Sequence, residues 1–120
     1  MYDDWPKTVK LLSTQLAQLR GDAPEVLKAF SGLAQAALAP KALDTKTKEL
    51  IALGISVAIR CDDCIAFHVK AALDRGATPA EISETLAMAI YMGAGPSVMY
   101  ASHAFTALQQ FGAVKVAEPA

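Results

Sequence analysis

Apolar side chains recur along this chain at intervals of three and four residues, the period of helices with one buried stripe, not the alternation of strands. Val9, Leu12, Leu16 and Leu19 trace a first stripe, opened by Asp4 ahead of Trp5 and Pro6 and stopped by Gly21. A second helix, opened by Asp22 with Pro24 just inside its start, carries Val26, Leu27, Phe30, Leu33 and Leu38 and closes at Pro40. Asp44 or Thr45 caps a third, whose polar first turn of Lys46, Thr47, Lys48 and Glu49 leads into Leu50, Ile51, Leu53, Ile55, Val57 and Ile59. Apolar on nearly every side, it is expected at the centre of the fold. A fourth helix runs from about Asp62 to Asp74, with Ile65, Phe67, Val69 and Leu73 inward and Gly76 as a left-handed cap. Two acids, Asp62 and Asp63, meet the dipole at its start. Thr78, Pro79 and Glu81 form a capping box for a fifth helix reaching about Met92. Gly93, Ala94, Gly95 and Pro96 break the pattern, so a last helix is expected from about Pro96 to Phe111, followed by a loose tail from Gly112 to Ala120. The expected fold is all-α, a single-domain bundle of about six helices spanning residues 1–120.

Composition narrows the function more than the fold. The 11 Lys and Arg against 12 Asp and Glu leave a net charge of -1, which offers no electrostatic hold on nucleic acid or anionic lipid. The longest apolar runs, Leu50 to Ile59 and Leu86 to Gly95, fall well short of the roughly 20 residues a bilayer-spanning helix needs. Met1, Tyr2, Asp3, Asp4 and Trp5 lack the basic start of a secretory signal, and a cytoplasmic location is expected. An apolar content of 53% in 120 residues leaves more greasy surface than one small subunit can hide, so a homo-oligomer is expected.

The chemistry concentrates in Cys61, Asp62, Asp63, Cys64, Ile65, Ala66, Phe67 and His68. Two thiols and an imidazole at spacings of three and four share one helix face. Thiols three apart at a helix start suit disulfide exchange, because the amide dipoles favour a thiolate and the short loop lets the bond close. His68, one turn beyond Cys64, can take that thiol's proton, which makes Cys64 the better-placed nucleophile. If the chain reverses near Arg60, Glu49 comes level with the turn after His68, and a relay from Glu49 through His68 to Cys64 follows.

Glu49, eleven residues, Cys61, two residues, Cys64, three residues and His68 resemble the core motif of the AhpD-like alkylhydroperoxidases of the carboxymuconolactone decarboxylase superfamily. The similarity covers residues 40–110, including Lys48 to Leu53, Arg75 to Glu84 and Met92 to His103. The resemblance implies a helical subunit in homotrimers or homohexamers and thiol-dependent reduction of peroxides without a bound cofactor. It implies that Cys64 attacks the peroxide, Cys61 resolves the sulfenic acid, and Glu49 and His68 relay the proton. Electrons would come from an external dithiol donor of lipoyl or thioredoxin-like type, with a peroxiredoxin as a further partner. The alkylhydroperoxidases proper usually carry another histidine immediately before the second cysteine; here Asp63 stands there.

Other readings of the same residues remain open at this level. Cys61, Cys64, His68 and Glu49 are acceptable zinc ligand types, though crowded compared with common structural sites. Glu49 in a first helical turn satisfies the dipole without catalytic duty. His103, near Tyr100 and Ser102, is expected to be structural, and Met88, Met92 and Met99 to be packing. A decarboxylase of the superfamily's name, or a non-enzymatic thiol-sensing oligomer, are the alternative functions.

Overall fold

The computed structural model describes residues 3–112. Five helices follow one another: α1 (Trp5–Asp22), α2 (Pro24–Leu38), α3 (Thr45–Ala58), α4 (Asp62–Asp74) and α5 (Pro79–Gln110), with no strand among the described residues. The tail expected to be loose lies, beyond Gly112, outside the described residues. No helix among the described residues is long and apolar enough to cross a membrane.

Side-chain oxygens capture orphan amides at three of the five helix starts, and a sulfur does so at a fourth. Asp4 accepts from the Lys7 amide at 3.0 Å and Asp44 from the Thr47 amide at 2.7 Å. At α5, Thr78 Oγ1 accepts from the Glu81 amide at 3.1 Å while Glu81 Oε1 accepts from the Thr78 amide at 2.9 Å. The other Glu81 oxygen accepts from Lys46 Nζ at 2.9 Å, tying the start of α5 to the first turn of α3. The Thr78 amide, followed by Lys46, holds the Glu81 carboxyl below the usual carboxylate range. That contribution to stability is therefore present above the unfolded-state value and is lost as pH falls through the folded one. Asp22 does not cap α2. It is the last residue of α1, and Ala23 serves as boundary to both helices with no side-chain bond.

The six expected helices are five, because the Gly93–Pro96 segment bends a helix instead of ending it. Only Ala94 leaves helical geometry, at φ 53° and ψ -137°. Pro96 falls in the first turn after the break, where its missing amide costs no hydrogen bond. The bend folds Ser97 back onto Gly93, where a β-carbon would run into the Ser97 side chain. Gly93 is thus required by close approach.

The core lies where α3, α4 and α5 meet, with Leu53, Val57, Ile65, Val69, Ile82 and Leu108 fully buried. Phe67 and Leu73 pack against this core only partly buried. The third helix is central, as its pattern predicts, but on one face only: Ile51, Ile55 and Ile59 stay exposed. α2 buries no residue at all, and its Val26, Phe30 and Leu33 are each more than 60% exposed.

Trp5 closes the bottom of the core at 1% exposure, and its amide donates to Gln110 Oε1 at 2.6 Å. Gln110 Nε2 donates in turn to the Asp3 carbonyl at 2.6 Å, joining the start of α1 to the end of α5. Replacing Trp5 by alanine is expected to cost about 3–5 kcal/mol, read as a lowered urea midpoint with an unchanged slope.

Between α3 and α4 the chain reverses within three residues. The Ile59 amide still bonds Ile55, Arg60 takes a positive φ of 61°, and the Cys61 amide returns to the Ser56 carbonyl at 3.0 Å. A non-glycine residue with positive φ is uncommon. It sets α3 and α4 antiparallel and delivers Cys61 to a helix start.

Candidate active site

Cys61 is the N-cap of α4. Its backbone is extended (φ -108°, ψ 94°), and its sulfur accepts from the Cys64 amide at 3.2 Å, the place a Ser or Asp oxygen takes in ordinary caps. Cys61 and Cys64 are joined by a disulfide across a Cα–Cα distance of 5.2 Å, and both residues are partly buried. Asp62 and Asp63 occupy the first turn that links them.

The antiparallel turn brings Glu49 to His68. Glu49 is not in the first turn of α3, which contains no acid; it lies further along, on the buried face with Leu53, Ser56 and Val57. It is 3% exposed, so relief of the helix dipole does not account for it. Glu49 Oε1 stands 3.3 Å from His68 Nδ1, within ion-pair reach. The two atoms are not aligned for a hydrogen bond, and both are shielded from solvent without another partner. Buried polar atoms are nearly always satisfied, so this pair is an exception that packing alone does not explain. The His68 side chain is still 31% exposed, and with Nδ1 shielded that access belongs to the rest of the ring.

The structure also brings in a residue that pattern reading set aside as structural. His103 Nδ1 lies 2.7 Å from Asp62 Oδ1, across 41 positions of sequence. Its ring sits against Tyr100 and Trp5, with centroids 5.0 and 6.2 Å away. Its one sequence signal was a titratable group on a mostly apolar helix, and nothing in the spacing linked it to the cysteines.

Among the described residues, no three His, Cys, Asp or Glu side chains gather as metal ligands would. A cavity of about 480 Å³ opens between α3 and α5, lined by Leu50, Ile51, Ile55, Ala58, Met88 and Met92 among others. None of Glu49, Cys61, Cys64 or His68 lines it. It is a groove of apolar surface apart from the disulfide.

Residues 24–107 match the sequence profile of the carboxymuconolactone decarboxylase family. The chain belongs to that family. Solved structures of family members share its shape: one from Legionella pneumophila superposes with a TM-score of 0.87 at 49% identity, covering 91% of this chain and 97% of the other. A Thermotoga maritima protein superposes with a TM-score of 0.81 at 31% identity, over 88% of this chain and 92% of its own. A second structure of that Thermotoga maritima protein, matched at a TM-score of 0.67 and 36% identity over 71% of this chain and 88% of that one, is of a family member for which a part in an antioxidative response has been suggested. Among sequences, an uncharacterized protein of Cupriavidus necator is 41% identical over 93 residues, 78% of this chain and 82% of that protein. Within the family, then, this chain is an all-helical member carrying a disulfide-forming Cys-x-x-Cys at a helix start.

Proposed function

We propose that this protein is a thiol–disulfide oxidoreductase that reduces peroxides through Cys61 and Cys64. The observation that carries the reading is the Cys61–Cys64 disulfide at the start of α4, on the helix whose next turn brings His68 to the buried Glu49. In the reduced protein His68 takes the Cys64 proton, and Glu49 steadies the imidazolium that results. The Cys64 thiolate attacks one peroxide oxygen. The O–O bond breaks, the alcohol leaves with a proton returned through His68, and Cys64 becomes a sulfenic acid. Cys61, its thiolate favoured by the Cys64 amide, attacks the Cys64 sulfur; water leaves, and the disulfide closes with two electrons passed to the peroxide. An external dithiol of lipoyl or thioredoxin-like chemistry returns them. Its thiolate attacks Cys64, Cys61 departs as the capped thiolate, and the donor's second thiol closes its own disulfide and frees Cys64. The cycle uses no bound cofactor. The reading puts the couple in the cytoplasm, where thiols are kept reduced between turnovers, with a peroxiredoxin disulfide as a further substrate.

The test is stoichiometric. Fully reduced protein mixed with an alkyl hydroperoxide is expected to consume one peroxide per chain while two titratable thiols vanish together, and to turn over when dithiothreitol is supplied. Peroxide that persists beside two intact thiols would overturn the reading.

The same proposal takes the working form as a homotrimer or homohexamer. A helix of 15 residues that buries nothing is marginal on its own, and α2 presents Val26, Phe30 and Leu33 on its surface. The groove between α3 and α5 offers apolar area of matching character on another part of the subunit. A stripe on one copy meeting a groove on the next is a head-to-tail contact, which closes into a ring when the rotation between copies is one third or one sixth of a turn. Phe30→Glu is expected to convert the assembly to the 12.6 kDa chain in light scattering, whereas a wild-type protein already monomeric would exclude the assembly.

A further inference from the structure

We propose that His103 is a positioning residue for the redox couple, holding a proton against Asp62 and so setting the charge on the turn that links the two sulfurs. The proposal rests on the redox reading of Cys61 and Cys64 given above. Asp62 follows Cys61 directly, and its side chain is only 18% exposed. A carboxylate at that place opposes formation of a thiolate on either neighbour, because like charges at close range disfavour each other and burial limits screening. His103 is the group placed to offset it, at 2.7 Å. With two protons on the ring the pair is neutral; with one proton on the ring it carries a negative charge on the residue next to Cys61.

The surroundings show that this contact is built. His103 stands on α5 beyond the bend at Ala94, and the bend is what directs the second half of that helix. Trp5 from α1 and Tyr100 from α5 flank the ring. Asp62 is the carboxyl partner from α4. The other charges near the couple in sequence are Arg60 in the turn and Asp63 in the helix start, and the Glu49–His68 pair serves it from α3 and α4. His68 and His103 therefore act through different partners. One accepts the thiol proton, and the other governs how readily the thiolate is tolerated. The 2.7 Å contact brings a histidine from a distant helix to the first acid of the Cys-x-x-Cys turn.

The experiment follows iodoacetamide labelling of the dithiothreitol-reduced, desalted protein between pH 5 and 10, with the labelled cysteine identified by mass spectrometry. His103→Gln can still donate a hydrogen bond to Asp62 but cannot carry the proton. It is expected to move the titration of the reactive thiol upward and slow labelling at pH 7 about three- to tenfold. Adding Asp62→Asn to His103→Gln is expected to restore at least the wild-type rate, since the charge that His103 offsets is then gone. Losses that add in the double variant, or a His103→Gln protein that labels like wild type, would overturn the proposal. A merely structural contact gives the additive pattern, because each substitution then removes packing independently. Labelling needs no peroxide, so a protein that shows the rescue yet consumes no peroxide supports the coupling and refutes the peroxidase reading alone.

Discussion

Cys64→Ser is expected to abolish peroxide turnover, with a loss of about a thousandfold or more, because it removes the sulfur proposed to attack and a serine hydroxyl at neutral pH is a poor substitute. Cys61→Ser is expected to behave differently. It retains the attacking thiol, so it should consume one peroxide per chain in a single burst and then stop at the sulfenic acid, which dimedone traps. Neither change should unfold the protein. The disulfide closes a loop of only a few residues, and its constraint on the unfolded chain is well below the about 3 kcal/mol expected of a 15-residue loop. A lost activity can therefore be read as lost chemistry. If the burst appeared in Cys64→Ser and not in Cys61→Ser, the two roles would be exchanged, which the amide contact to the Cys61 sulfur makes a meaningful comparison.

Glu49→Gln carries the second large effect, and stability and activity should part company there. The carboxyl is 3% exposed and makes no aligned hydrogen bond, so its ionised form is costly to bury. A glutamine of the same shape removes that cost, and the variant is expected to be as stable as wild type or more so in urea titration. Its rate of peroxide reduction should nonetheless fall by about 10²-fold, the usual worth of a proton-handling group. His68→Gln should lose a similar factor, and the double variant should be little worse than either single one, since the two side chains act as a unit. Destabilisation without loss of rate would assign Glu49 to the core instead.

Much of this was written in local pattern. Asp44 as cap, the Thr78–Glu81 box, the helix start at Asp62 and the end at Gly76 are interactions within a few residues, so spacing alone displays them. The bend at Ala94 was not, because Gly93, Gly95 and Pro96 break a pattern equally well in a loop and in a kink. What separates the two is the packing of Ser97 on Gly93. Asp22 misled for a similar reason: a good capping residue lost its place when α1 ran one residue past Gly21.

The candidate site divides along the same line. Cys61, Cys64 and His68 lie within two turns of one helix, and periodicity is enough to put them on one face. Glu49 needed the reversal at Arg60 and the burial of one face of α3 before its carboxylate could be seen as shielded and unsatisfied. His103 needed more still, the whole path of α5 across its bend to Asp62. By itself the sequence determined most of the helix starts and the Cys-x-x-Cys spacing, because hydrogen bonding and side-chain period act over at most a turn or two. Only the tertiary structure decided that Glu49 meets His68 and that His103 meets Asp62, since burial and distance between segments far apart in the chain are properties of the packed molecule and have no local signature.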